Sequence, residues 1–189
     1  MRTRFHQSAA PYQRRAFTLI EMITVVVILA VVMLIVLPSL GQRDDLSTAA
    51  AARLVVADLL WAQNHAIATG SPCYVSFATA NSTSGGGFAI YNAKPFTSPV
   101  INPVTNKVFV DSFGAGSTYS TVQVSNINFD GPANTVIGFT ALGQPTASMT
   151  STAAGAEASL ASTGTITLMA GSMTTVISIE PDTGHITLP

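Results

Sequence analysis

The chain has 189 residues, of which 48% are hydrophobic and only 9% charged, with a formal net charge of −1 and a single cysteine. That balance argues against a nucleic-acid-coating protein, and one cysteine excludes an internal disulfide framework. Charge is unevenly placed: Arg2, Arg4, Arg14 and Arg15 precede residue 17 and no acid does. From Arg43 onward, four basic residues face eight acidic ones, a balance of −4 that gives this part no evident attraction for nucleic acid.

Residues 1–16 read as a polar, basic leader and are set aside from the fold. Phe17 to Leu37 then form an apolar run of 21 residues, which as a helix spans roughly the 30 Å of a bilayer's hydrocarbon. Nine of the sixteen residues from Met22 to Leu37 are Val or Ile, which in water favour a strand. A lone strand in lipid leaves its backbone groups unsatisfied, so the reading is a transmembrane helix over 17–40, with Pro38 as a helix bend. The arginines before it keep the N-terminus cytoplasmic and place residues 41–189 in the periplasm. Glu21 is a charge only four residues into the run; in hydrocarbon it needs a cationic partner or the headgroups.

The basic pair Arg14-Arg15, the small Ala16, then Phe17-Thr-Leu-Ile-Glu21 and an apolar run ending at Pro38 resemble the processing site of type IV prepilins and type II secretion pseudopilins. The resemblance implies cleavage between Ala16 and Phe17 by a prepilin peptidase and N-methylation of Phe17. It also implies pairing of Glu21 with the methylated amine of Phe17 on a neighbouring subunit, against a plain alternative in which Glu21 snorkels to the interface. The family usually has glycine before the cut, where this chain has Ala16. Ala49 to Ala52 offers a crude conventional signal-peptidase site, but that reading leaves the Phe-Thr-Leu-Ile-Glu segment unexplained.

Asp44 to Thr69 returns to helical spacing, with Leu46, Ala50, Leu54, Ala57 and Trp61 on one face and Asp44, Thr48, Asp58, Ala62 and His65 on a more polar one. Gly70-Ser71-Pro72 stops it. The expectation is one long helix, half in lipid and half a spine for the head, loosened near Pro38 and Gly41. The period then changes to two. Strands are expected at Cys73–Ala78, Phe88–Asn92, Lys107–Asp111, Thr121–Phe129, Thr135–Thr140, Thr165–Met169, Thr175–Glu180 and His185–Leu188. Ser82–Gly87 reads as a flexible hairpin tip, and residues 143–164 as a long, weakly specified loop. The fold class is therefore α+β: a long N-terminal helix packed on an antiparallel, pilin-like β head.

Ile137-Gly-Phe-Thr-Ala-Leu-Gly-Gln-Pro145, Gly164-Thr-Ile-Thr-Leu168 and Val176-Ile-Ser-Ile-Glu-Pro-Asp-Thr-Gly-His-Ile-Thr187 resemble the head of the GspH/FimT group of minor pseudopilins. That resemblance implies a non-enzymatic subunit of the periplasmic pseudopilus of a type II secretion system, supporting export of folded proteins across the outer membrane. Its partners would be the peptidase and methyltransferase, the other pseudopilins and the inner membrane. The alternative is a FimT-like minor pilin for pilus assembly or DNA uptake, which calls for a Lys/Arg cluster on the head, whereas Asn126 to Pro189 contains neither residue. No catalytic residue, metal site or cofactor is expected. His65 and His185 lack partners at ligand spacing, Asp130-Gly-Pro and Asp182-Thr-Gly are turn chemistry, Trp61 is core, and Cys73 is a small buried residue at a strand start.

Overall fold

The computed structural model describes residues 17–39, 42–78, 85–131, 134–148 and 157–188; of residues 34–39, 42, 43 and 148 the backbone alone is described. The chain divides into two units, Met1–Gly41 and Gln42–Pro189, each taken by itself below.

The described part of the first unit is helix α1, Leu19–Ser39. Its β-branched residues are helical as expected, and Thr24 turns its hydroxyl back on the Ile20 carbonyl at 2.7 Å. Every described side chain from Phe17 to Met33 is exposed. Among the described residues no helix is long and apolar enough to cross a membrane. The described side chains of α1 end at Met33, about 22 Å of helix, short of the ~30 Å that the whole run to Leu37 would cover. Pro38 falls within α1, but residues 40–41, where the helix was expected to loosen, lie outside the described residues.

The second unit begins with helix α2, Gln42–Thr69. Asp44 and Asp45 sit in its first turn, where the helix dipole favours negative charge. Its end is a Schellman closure: Ser71 N–H donates to the Ala66 carbonyl at 3.3 Å and Gly70 N–H to the Ile67 carbonyl at 3.4 Å. Gly70 takes φ +63°, a value that costs glycine little. The buried face of α2 differs from the one its large residues suggested. Thr48, Ala51, Ala52, Val55, Leu59, Ala62 and Ala66 are buried, whereas Leu46 is 71% exposed and Ala50 and Ala57 also face solvent. Small side chains let the helix approach the strands closely, and the buried Thr48 satisfies its hydroxyl on the Asp44 carbonyl at 2.7 Å.

Among the described residues the period-two region forms ten strands in two antiparallel sheets. In chain order they are β1 Cys73–Ala78, β2 Gly87–Tyr91, β3 Val110–Ser112, β4 Gln123–Asn128, β5 Val136–Phe139, β6 Pro145–Ser148, β7 Ala158–Ser159, β8 Gly164–Ala170, β9 Met173–Ile179 and β10 Ile186–Thr187. One sheet runs β3-β2-β1-β5-β6-β7 and the other β10-β9-β8-β4. Helix α2 packs on both, touching β1 and β5 of the first and β8, β9 and β10 of the second. All eight expected strands are present, with ends shifted by a few residues.

Two expectations change. Residues 143–164 contain β6 and β7, so the stretch is not a loop throughout; residues 149–156 lie outside the described residues. Gly85 to Gly87 is not a flexible tip but buried, closely packed backbone, while 79–84 lie outside the described residues. A Cβ on Gly85 would sit 2.5 Å from the Gly114 amide nitrogen, and one on Gly87 would sit 2.3 Å from the Asp111 carbonyl oxygen. Gly85 also donates to the Phe113 carbonyl at 3.1 Å and accepts from Val124 at 2.8 Å, so this glycine run ties the start of β2 to β4.

Alternation along the strands fills the space beneath α2. Phe77 of β1 meets Phe129, which follows β4, at 6.0 Å between ring centroids and so joins the two sheets. Phe139, Ile137, Ile166, Leu168, Ile177 and Ile179 are fully buried around them. Burial of each such side chain is favourable by about 1.5–3 kcal/mol, which is why the head holds together as one body.

Candidate functional site

The N-terminal signal is described from Phe17 onward; Ala16 lies outside the described residues. Phe17 is 71% exposed and precedes the first helical turn. Thr18 caps α1: the Glu21 N–H donates to Thr18 Oγ1 at 3.3 Å and to the Thr18 carbonyl at 3.1 Å. Thr18-Leu-Ile-Glu21 therefore has the Thr-x-x-Glu order of a capping box, a signal the sequence reading passed over. Glu21 is exposed in the first turn, where unpaired amides favour a carboxylate, about 6 Å along the axis from Phe17. The arrangement leaves Phe17 accessible and sets one negative charge a single turn beyond it.

In the head, the first and last of the three resemblance segments meet. Ile137–Pro145 runs from β5 through a turn to the first residue of β6; Val176–Thr187 runs from β9 through a turn into β10. Gln63 of α2 lies between the turns. Its Nε2 donates to the Gly143 carbonyl at 2.9 Å and to the Thr183 carbonyl at 3.4 Å. Gly143 and Gly184 hold φ values of +81° and +66°, and a Cβ on Gly184 would stand 2.6 Å from Gln63 Nε2 and 2.9 Å from the Gly143 carbonyl oxygen. One helix side chain thus fastens a turn from each sheet, and glycine in the turns leaves room for it. Beside this node Leu142 is 83% exposed and Ile67 of α2 is exposed as well. Gln63 was not singled out from sequence, since a glutamine on an amphipathic helix carries no periodic signal. The two glycine turns were the available clue.

The remaining sequence-singled residues have structural places. His185 donates its N–H to Thr183 Oγ1 at 3.1 Å, within the β9–β10 turn. His65 is stacked on Trp61 with centroids 4.7 Å apart, and Trp61 packs on Phe109 at 4.8 Å. Cys73 is buried at the first residue of β1, and burial pushes its thiol up to about 11, so it is no nucleophile at neutral pH. Asp130, at φ 58°, accepts from Ser162 N–H at 2.8 Å, Ser162 Oγ at 2.6 Å and Ala161 N–H at 2.5 Å. Burial raises its carboxyl, but these donors outweigh it and hold the group below the usual carboxylate range.

On the outer face of the six-stranded sheet, Lys94 lies 5.1 Å from the Tyr74 ring centroid and 3.7 Å from Glu157, to which the Tyr74 hydroxyl also donates. The Lys94 side chain is only 6% exposed. Among the described residues no group of three or more His, Cys, Asp or Glu side chains could hold a metal ion.

Residues 12–37 match the prokaryotic N-terminal methylation motif. No curated protein and no solved structure matches the chain significantly. The matched segment covers Arg14, Arg15, Ala16, Phe17 and Glu21, the residues on which the processing-site resemblance rests. A signal of this kind implies processing by a prepilin peptidase, anchoring in the membrane and assembly with other pilin-like subunits. The chain thus carries, at residues 12–37, the prepilin signal of a type IV pilin-like protein.

Proposed function

We propose that the protein is a minor pseudopilin of the GspH/FimT type, a structural subunit of the periplasmic pseudopilus of a type II secretion system. The carrying observation is the meeting of two of the three head segments at Gln63, in a chain that carries a prepilin signal at residues 12–37. In this reading Phe17 becomes the methylated N-terminus after removal of residues 1–16. The apolar run from Phe17 to Leu37 anchors the subunit with its N-terminus cytoplasmic, and it later packs in the filament. Glu21 pairs with the amine of Phe17 on a neighbour, and the head contributes a surface and no catalysis.

The basic side chains of the head support this reading over DNA uptake. Lys94 is committed to Glu157 and Tyr74, and four basic residues against eight acids from Arg43 onward leave little positive field for phosphates. Deletion of the gene tests the assignment. It should abolish release of folded proteins into the medium while leaving piliation and transformation intact, and the opposite pattern supports the pilus reading. In the complemented strain, Glu21→Gln should retain cleavage and lose crosslinking to the other pseudopilins. Equal crosslinking at equal processing would return Glu21 to a passive interfacial role.

A further inference from the structure

Asp58 projects from α2, and Asp111 lies on β3, the edge strand of the six-stranded sheet. Asp111 pairs in register with the buried Phe88 of β2, so the two side chains share a face of the sheet. On that face Phe109, two residues before Asp111, packs on Trp61, three residues after Asp58 on the helix. The same contact between α2 and the sheet edge therefore holds an aromatic pair and an acid pair. Among the described residues no ordinary donor reaches the buried Asp58 Oδ2, and the carboxyl of Asp111 bears on Asp58. Two carboxylates are both acceptors and satisfy each other only around a proton.

We propose that Asp58 and Asp111 form a proton latch, which fastens α2 to the β3 edge while one proton is shared and loosens that edge when the proton is lost. The other titratable groups about this contact are His65 on α2, stacked on the far side of Trp61, and Lys107, exposed on the approach to β3. Burial first, then the charge and hydrogen bond of Asp111, push Asp58 up to about 7; burial also raises Asp111. The sign follows from the raised value in the closed form. The closed contact binds a proton that the open one releases, so it is firmest below the ordinary carboxylate range. It then weakens as the pH climbs to about 7 and is level above that. The latch concerns the head alone and does not depend on which filament the subunit joins.

Hydrogen exchange of the full chain in detergent micelles tests it, read on peptides covering residues 109–113 and corrected for intrinsic exchange. Between pH 5 and 7 the opening constant should rise about tenfold per pH unit, then flatten. In Asp58→Asn an amide donates to Asp111 at every pH, and the profile should be flat. Asp111→Asn should give the same result from the other side and serves where the first variant folds poorly. A flat wild-type profile, or a variant that keeps the wild-type slope, overturns the latch.

Discussion

Along α1 every described side chain from Phe17 to Met33 faces outward, whereas in the head α2 and two sheets enclose a continuous apolar interior. The difference shows two ways in which one chain carries function. The N-terminal segment works as a linear text: a basic pair, a small residue, Phe17 and Glu21 at fixed spacing, which an enzyme can read without any fold. The head works only by convergence, because Gln63, Gly143 and Thr183 are separated by as much as 120 positions and become one device only after α2 has docked. Head substitutions should therefore register in stability, and N-terminal ones in processing and assembly.

The largest loss is expected from a large, fully buried side chain of the head. Phe139→Ala removes a fully buried ring of β5 and should cost the head about 3–5 kcal/mol, measured by denaturant unfolding of the purified chain. Processing at Ala16–Phe17 should be unchanged, and a drop in the mature-to-precursor ratio equal to the loss of folded protein would erase the contrast between the two regions. Gln63→Ala leaves the Gly143 and Thr183 carbonyls without their helix donor and should cost about 1–2 kcal/mol. If the node unites the sheets, the loss should be accompanied by faster amide exchange at Gly143 and Gly184 together; a change at one turn alone would divide the node.

Much of the head was legible because strands announce themselves by alternation. Cys73–Ala78 was placed to the residue, and the helix stops at Gly70-Ser71-Pro72 as expected, through a Schellman closure. The buried face of α2 was misread because Leu46, Ala50, Leu54, Ala57 and Trp61 also have apolar helical spacing. The helix instead seats Ala51, Ala52, Ala62 and Ala66 against the sheets and leaves Leu46 and Leu60 outside. Strands β6 and β7 escaped notice since Pro145–Ser148 and Ala158–Ser159 lack large apolar residues, and their pairing partners decide their state. At the N-terminus the signal was readable, while the cap by Thr18 was missed beside a charge that drew attention to itself.

A smaller effect is expected from Asp130, whose hold on Ala161 and Ser162 is exposed to solvent. Asp130→Ala should cost about 0.5–1 kcal/mol. Since its carboxyl is held below the usual range, wild-type stability from this group is present above about pH 4. It is lost as the pH falls through the lowered value, and the variant should lack that step. Thermal unfolding of the two proteins between pH 2.5 and 6 measures it; parallel curves would remove Asp130 from the account.

The claim that a linear prepilin signal directs this chain is met most directly by its mass. Co-expressed with a prepilin peptidase, the protein should lose residues 1–16 and carry one methyl group on the amine of Phe17, as read by intact-mass and N-terminal fragment analysis. A chain that begins near Ala50, or one left uncut while a known prepilin in the same cells is processed, would contradict it.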